Sequence, residues 1–372
     1  MILIDNPVSS TVIFTLILSI CILFSLRKKT DISIFPKELT EELKGFAILV
    51  IVFSHIGYIL SSTDRFLWPL SILAGVGVNL FLFLSGYGLT ISGMKKTPTL
   101  KSRAKRMLNI FIPLWIVLVI YFLADYFILD ITYMPTYIAH SFAGFFLRAD
   151  AFLDVNSVLW YFTAVLFYYV MFYLVFMPKR VWASALIIFL LGTAIVSLDY
   201  EQLKDVMRFY QIHTIAFPLG MLIAWFSVTK FPANVSRLRL GYSKAIQSVN
   251  RTSIKGSVLY VGSMITLVFS IGYFAINSGV DGSIVTEQLI SLLTMFLIVI
   301  FFIIKKFRIG LLSLFGFVSF EIYLLHWPLI SRYDFLYNNL PAWLATALYL
   351  MIFVGLGWLL KRIVGFRFKR SS

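Results

Sequence analysis

Eleven apolar runs, each long enough to cross a bilayer, dominate the chain, at roughly 8–26, 43–60, 72–93, 108–129, 158–177, 181–198, 207–227, 257–277, 286–304, 310–331 and 342–361. A hydrocarbon core of ~30 Å takes about 20 such residues as a helix, and inside it every backbone polar group must be satisfied within the segment. The sequence therefore predicts an all-α, polytopic integral membrane helical bundle of about 11 transmembrane helices, with 10 as the nearest other count. Charged residues make up 13% of the chain, against about a quarter in soluble domains. The first run has no basic segment before it; Arg27, Lys28 and Lys29 follow it instead. It reads as a helix and not as a cleaved leader. No repeat of 20–50 residues and no appended soluble domain is visible. Residues 1–372 read as a single membrane domain, with its motif-bearing core at about 38–331.

The net charge of +15 would suggest nucleic acid in a soluble protein, but here the charges flank the apolar runs. With the N-terminus outside and the C-terminus cytoplasmic, 27 of the 32 Lys and Arg residues fall on the cytoplasmic side. Only Arg65, Arg148, Lys204, Arg208 and Arg332 fall outside. One missed or invented helix would scramble this bias, so it supports both the count and the orientation. No nucleic-acid partner is needed to explain the charge. The single cysteine, Cys21, lies in an apolar run, which excludes a disulfide and a cysteine-based zinc site. Two loops stand out. The outer segment 130–157 carries Tyr133, Tyr137, His140, Arg148, Asp150 and Asp154 and reads as a re-entrant or capping segment over an outer cavity. The inner segment 228–256 is polar and basic.

Several residues sit where an apolar helix does not explain them. Lys44 opens the second run, and His55 lies about 16 Å further along its axis, near mid-membrane or somewhat beyond. Ionisable groups at that depth are costly and mark function, and histidine suits proton transfer. A buried structural histidine and a snorkelling lysine are the plainer roles. In the third run, Asn79 and Ser85 place polar groups on a helix whose Gly86 and Gly88 permit close approach. Arg103 and Arg106, three residues apart, share a helix face ahead of Pro113, and guanidinium forks match phosphate geometry. They serve equally as a topology-setting cluster. Trp160 and Tyr161 open the fifth helix at its outer end, where aromatic belts are common. In the tenth run Glu321 is expected near mid-membrane, with Tyr323 and His326 on one face and a kink at Pro328. Glu321, His55 and His326 are candidates to converge in one pocket. Two histidines on separate helices are too few to specify a metal site, and none is expected. A transporter or flippase using intramembrane His and Glu is the alternative class of function.

Taken in order, these segments resemble the membrane acyltransferase-3 family. The cation, ten residues and histidine of Lys44 to His55, the NLFLFLSGYGLT stretch, Arg103 and Arg106 before Pro113, Leu159-Trp160-Tyr161 and the segment from Ser319 to His326 are each similar to a family motif. The resemblance implies an integral-membrane O-acyltransferase. It would move an acyl group, usually acetyl, from cytoplasmic acetyl-CoA or another acyl-CoA to a hydroxyl of a cell-surface or lipid-linked carbohydrate. It implies His55 and Lys44 as the catalytic residues, His55 as the catalytic histidine and Lys44 on the donor's side, orienting or neutralising it. Arg103, Arg106 and Ser85 would bind the donor, and Trp160, Tyr161, Glu321, Tyr323, His326 and Asn79 the acceptor. Whether His55 is a general base or an acyl carrier is left open. Many members carry a Glu a few residues after the helix-5 Trp; here Trp160 is followed by Tyr-Phe-Thr-Ala-Val-Leu-Phe-Tyr, so that role does not transfer. The expected location is the inner or plasma membrane, with lipid as a partner; homo-oligomerisation stays open. The topology is checked with reporters. A fluorescent protein fused after Ser372 is expected to fluoresce, and an alkaline phosphatase inserted in 130–157 to be active; the reverse pattern would invert the orientation.

Overall fold

The computed structural model describes residues 6–29, 35–61, 65–151, 153–198, 203–229, 254–278 and 283–369, together with positions 2, 4 and 200. Most of the basic segment 228–256, including Lys230, Arg237, Arg239, Lys244 and Arg251, lies outside these residues, as does Arg370. The helices are α1 (Pro7–Phe24), α2 (Lys37–Ser54), α3 (Ala74–Lys95), α4 (Leu100–Leu129), α5 (Pro135–Ala143), α6 (Trp160–Val175) and α7 (Val181–Val196). They continue with α8 (Lys204–Ile212), α9 (Ala216–Thr229), α10 (Ile254–Ile276), α11 (Ile284–Ile304), α12 (Gly310–Phe317), α13 (Ser319–Ser331) and α14 (Ala342–Lys369). Two three-residue strands, β1 (Leu26–Lys28) and β2 (Phe307–Ile309), pair antiparallel.

All eleven apolar runs are helical, but not all as single full-length spans. Among the described residues nine helices are long and apolar enough to cross a membrane. The run at 181–198 forms α7, whose 16 residues cover about 24 Å, short of the ~30 Å core. The run at 310–331 is two helices, α12 and α13, bent by 77° at Val318. The expectation of one continuous tenth helix is therefore corrected. The second run also departs from a plain helix. The ladder of α2 widens at His55 to i→i+5 bonding and stays so through Leu60, and π-turns of this kind re-aim the side chains that follow.

Helix α2 is the axis of the bundle, buried along most of its length and flanked by α3, α12 and α13. Glycines let its backbone touch its neighbours. A Cβ on Gly45 would stand 1.8 Å from Leu312 O, and one on Gly316 would stand 1.8 Å from Glu41 O. Helices α2 and α12 thus cross backbone on backbone, which fixes the height of Lys44 against α13. Gly86 and Gly220 do the same for α3 and α9, with a Cβ 2.2 Å from Phe217 O and 2.1 Å from Phe83 O. Gly88, expected to serve likewise, has nothing within 4 Å.

The ends of the bundle are tied by ions. At the Lys44 end, Lys305 is buried on Glu42 at 2.6 Å, and the same carboxylate oxygen accepts from Ile309 N at 2.6 Å. Burial lowers the Lys305 ammonium, and its hydrogen bond to Glu42 opposes that. Arg308 reaches Glu38 and Glu41. At the far end, Asp125 is fully buried and takes Arg332 and the hydroxyls of Tyr133 and Tyr333. Burial and the bond to Asp125 push the Tyr133 phenol up to about 12, so it stays a donor. The close crossing of α2 and α12 is checked by Gly45→Val. Overpacking at such a contact costs about 1–3 kcal/mol, so the variant is expected to unfold at a lower temperature by tryptophan fluorescence. An unchanged midpoint would show that the two helices do not touch.

Candidate active site

His55 and His326 meet. His55 Nδ1 lies 2.7 Å from His326 Nε2, with the two rings nearly coplanar at 4°. Both are buried, His326 completely. Helix α13 decides the proton positions. His326 Nδ1 stands 3.0 Å from both Ile322 O and Tyr323 O. Carbonyls only accept, so Nδ1 carries the proton and Nε2 is the acceptor. His55 Nδ1 must then be the donor, and the lone pair of His55 is placed on Nε2. Among the described residues nothing hydrogen-bonds that atom. A histidine with one nitrogen engaged as donor and the other open is built to take a proton or attack a carbonyl.

The turn of α13 that carries His326 is held from outside. Pro328 has no N–H to give to Leu324 O, and Asn156 Nδ2 donates to that carbonyl at 2.9 Å. Tyr121 donates to Leu325 O at 2.7 Å. Tyr323 donates to Val158 O at 2.9 Å and accepts from Phe162 N, fixing the start of α6. Trp327 stands edge-on to His55 at 5.1 Å. Its Nε1 and the neighbouring Ser54 Oγ are buried with no hydrogen-bond partner among the described residues. Native proteins rarely leave such groups unpaired away from functional sites.

Toward Lys44 the bundle opens into a cavity of about 250 Å³. Lys44, Ser85, Tyr161, Tyr169, Ser319 and Tyr323 supply its polar wall, and Phe81, Ile110 and Val165 its apolar wall. Four of the residues singled out in the sequence (Lys44, Ser85, Tyr161 and Tyr323) therefore face one space. Tyr323 belongs both to this wall and to the turn that holds His326.

Other expected site residues are placed differently. Glu321 does not join the histidines; it lies on Lys361, 3.6 Å away, at the Lys44 end of α13. The residue that partners His55 is His326, which was expected nearer the outer side for an acceptor. Asn79 has both ends of its amide engaged: Nδ2 donates to Ser291 Oγ at 2.8 Å, and Oδ1 is 2.7 Å from His213 Nδ1. It positions a histidine and does not face a free space. Trp160 stacks on Phe209 at 5.0 Å and lies parallel to His213 at 6.0 Å. Arg103 donates to Pro98 O and Tyr173 O and lies over the Tyr173 ring, bracing the corner between α3, α4 and α6. Arg106 reaches Ser92 Oγ at 3.4 Å. His213 was not singled out in the sequence: it lies between α8 and α9 within an apolar run and in no recognisable motif. Its one signal was its rarity, as one of four histidines.

A family profile described as an acyltransferase domain matches residues 42–362. The chain belongs to the acyltransferase-3 family. No curated protein and no solved structure matches it. The matched region contains the whole histidine pair and the cavity, and membership makes this multi-pass membrane protein an acyltransferase. The tautomers assigned to this acyltransferase can be read directly. With ¹⁵N-histidine labelling, His55 and His326 are each expected to show a protonated Nδ1 and an unprotonated Nε2 at neutral pH. Protonated Nε2 on His326 would contradict the hydrogen-bond chain.

Proposed function

We propose that this acyltransferase moves a short acyl group, acetyl by preference, from acyl-CoA to a hydroxyl of a cell-surface or lipid-linked carbohydrate. The observation that carries the reading is the hydrogen-bond chain from the α13 carbonyls through His326 to His55, which leaves His55 Nε2 as an oriented base. His55 Nε2 removes the proton of the acceptor hydroxyl as its oxygen bonds to the thioester carbonyl carbon. The C–S bond breaks, and His55 returns the proton to the leaving sulfur. His326 is a positioning residue: its Nε2 holds His55 Nδ1–H and stabilises the charge that His55 gains. General-base catalysis of this kind contributes about 10²–10⁴-fold.

The cavity at Lys44, lined by Tyr323 but by neither histidine, fits the arm of the donor that leads to the thioester. It is smaller than the ~300–1,000 Å³ of sites that enclose drug-sized ligands, so the nucleotide end would remain outside. Lys44 with the hydroxyls of Ser85, Tyr161 and Tyr169 would hold that arm, with the thioester beyond it at the Tyr323 end, against the turn that carries His326. Arg106, at the same end and held at 3.4 Å by Ser92, is the better candidate for the donor's phosphates. Arg103 supports the corner on which Arg106 stands.

The orientation that suits this chemistry places the Lys44 end in the cytoplasm of the inner or plasma membrane. The charge distribution supports it. The pairing of β1 with β2 puts both strands on one side and so requires an even number of passages between them; α7 would serve as the eighth despite its length. The test is transfer of radiolabelled acetyl from acetyl-CoA to envelope carbohydrate, with wild type and inserted variants. His55→Ala is expected to lose at least about 10²-fold in kcat. His326→Ala is expected to fall comparably with little change in donor KM. Full activity in His55→Ala would remove the catalytic assignment.

A further inference from the structure

Glycine inside a helix is unfavourable relative to alanine, and in α3 close packing accounts for three of the glycines. A Cβ on Gly77 would stand 2.7 Å from Ala47 O, one on Gly86 2.2 Å from Phe217 O, and one on Gly93 2.5 Å from Phe176 Cε1. Gly88 is different. It is exposed, and a Cβ there meets nothing within 4 Å. At about 100° per residue, Phe81, Ser85, Gly88 and Ser92 fall within about 60° of one another around the helix. Phe81 and Ser85 line the Lys44 cavity. Gly88 therefore continues that wall by one turn, and Ser92 by two. On its other faces α3 packs against α2, α9 and α11. Along this face it meets α4 and α6 through side chains: the Tyr169 hydroxyl faces that of Ser85, and Arg106 reaches Ser92 Oγ.

The two ends of this bare face differ in chemistry. At the cavity end stands Lys44, with no hydrogen bond or ion pair among the described residues, beside the hydroxyls of Ser85, Tyr161 and Tyr169. At the open end, about 10 Å further along the axis, is the guanidinium of Arg106. The exposed Lys95, Lys96 and Lys101 lie close by in the chain. Such a layout suits an anion at the open end and a thin polar chain leading inward. Acyl-CoA has this form: phosphates, then a narrow run of methylenes and amides, then the thioester. A lipid tail would supply neither the anion nor the amides. We propose that the arm of acyl-CoA enters the cavity along this face of α3, and that Gly88 is bare because the arm passes over it. The proposal rests on the reading of acyl-CoA as the donor. It adds the path of the arm and the residue that admits it.

The test uses the full chain in phospholipid nanodiscs. Gly88→Cys in a Cys21→Ser background carries the sole thiol. Its maleimide labelling is followed with acetyl-CoA, which has no thiol of its own, and with the adenosine bisphosphate portion of CoA, which lacks the arm. Acetyl-CoA is expected to slow labelling about fivefold near four times its Kd. The bisphosphate, even at saturation, is expected to leave it unchanged. In a second variant, Gly88→Leu, the added side chain fills the path without touching the fold. Its affinity for acetyl-CoA by titration calorimetry is expected to fall at least about tenfold, with the unfolding temperature kept. A thiol that does not label, labelling that acetyl-CoA does not slow, equal slowing by the bisphosphate, or undiminished affinity in Gly88→Leu would each overturn the proposal. So would a lowered unfolding temperature, which would show the protein itself filling the face. A lipid tail in the groove would give labelling indifferent to acetyl-CoA. Titration of the wild type separates the two failures. Binding of acetyl-CoA there, with both variants indifferent to it, would remove the path and leave the donor assignment standing; no binding to the wild type would remove both.

Discussion

The chemistry of this protein depends on one hydrogen-bond chain: two carbonyls of α13, the His326 ring and the His55 ring. Imidazole has two nitrogens and, when neutral, one proton to share between them. Left alone it would exchange tautomers, and half the time its lone pair would point the wrong way. Backbone carbonyls cannot donate, so they settle the tautomer of His326, and His326 settles that of His55. The remaining structure keeps the two rings in register. Asn156 and Tyr121 hold the carbonyls that follow in α13, and Gly45 and Gly316 let α2 lie against α12. The π-turn begins at His55 itself.

A two-ended architecture follows from the same helices. Lys44 and His55 share α2, about 16 Å apart, and Tyr323 and His326 share α13. The cavity at Lys44 therefore ends against the turn that holds the histidine pair. Ion pairs close both ends, with Glu42 and Lys305 at one and Asp125 and Arg332 at the other. Breaking a buried pair by removing one partner commonly costs 3–5 kcal/mol. These contacts therefore hold the ends firmly, and two of the buried polar groups without partners among the described residues, Ser54 Oγ and Trp327 Nε1, sit next in sequence to the two histidines.

Much of this was legible in the chain. Apolar length marked the helical runs, because a bilayer leaves the backbone no other way to satisfy its polar groups. The spacing of Lys44 and His55 was visible as two costly groups on one helix. Lys44, Ser85, Tyr161 and Tyr323 were marked separately, and the fold brings them to one cavity. Glu321 was harder to read. Its position five residues before His326 gave no sign that Val318 breaks the helix and turns the carboxylate to Lys361. The amide of Asn79 gave no sign that His213 occupies it, since the two are 134 residues apart.

Sequence alone determined the class of the protein, its helical runs and the residue types available for catalysis, because hydrophobic length and the cost of buried charge are local properties. Tertiary structure alone decided that His55 and His326 are partners, that Arg103 braces Tyr173 O, and that Asn156 holds Leu324 O. Those are matters of angle and of distance across as many as 271 residues of chain. A hydrogen bond tolerates only a few tenths of an ångström, and no spacing within one helix predicts that.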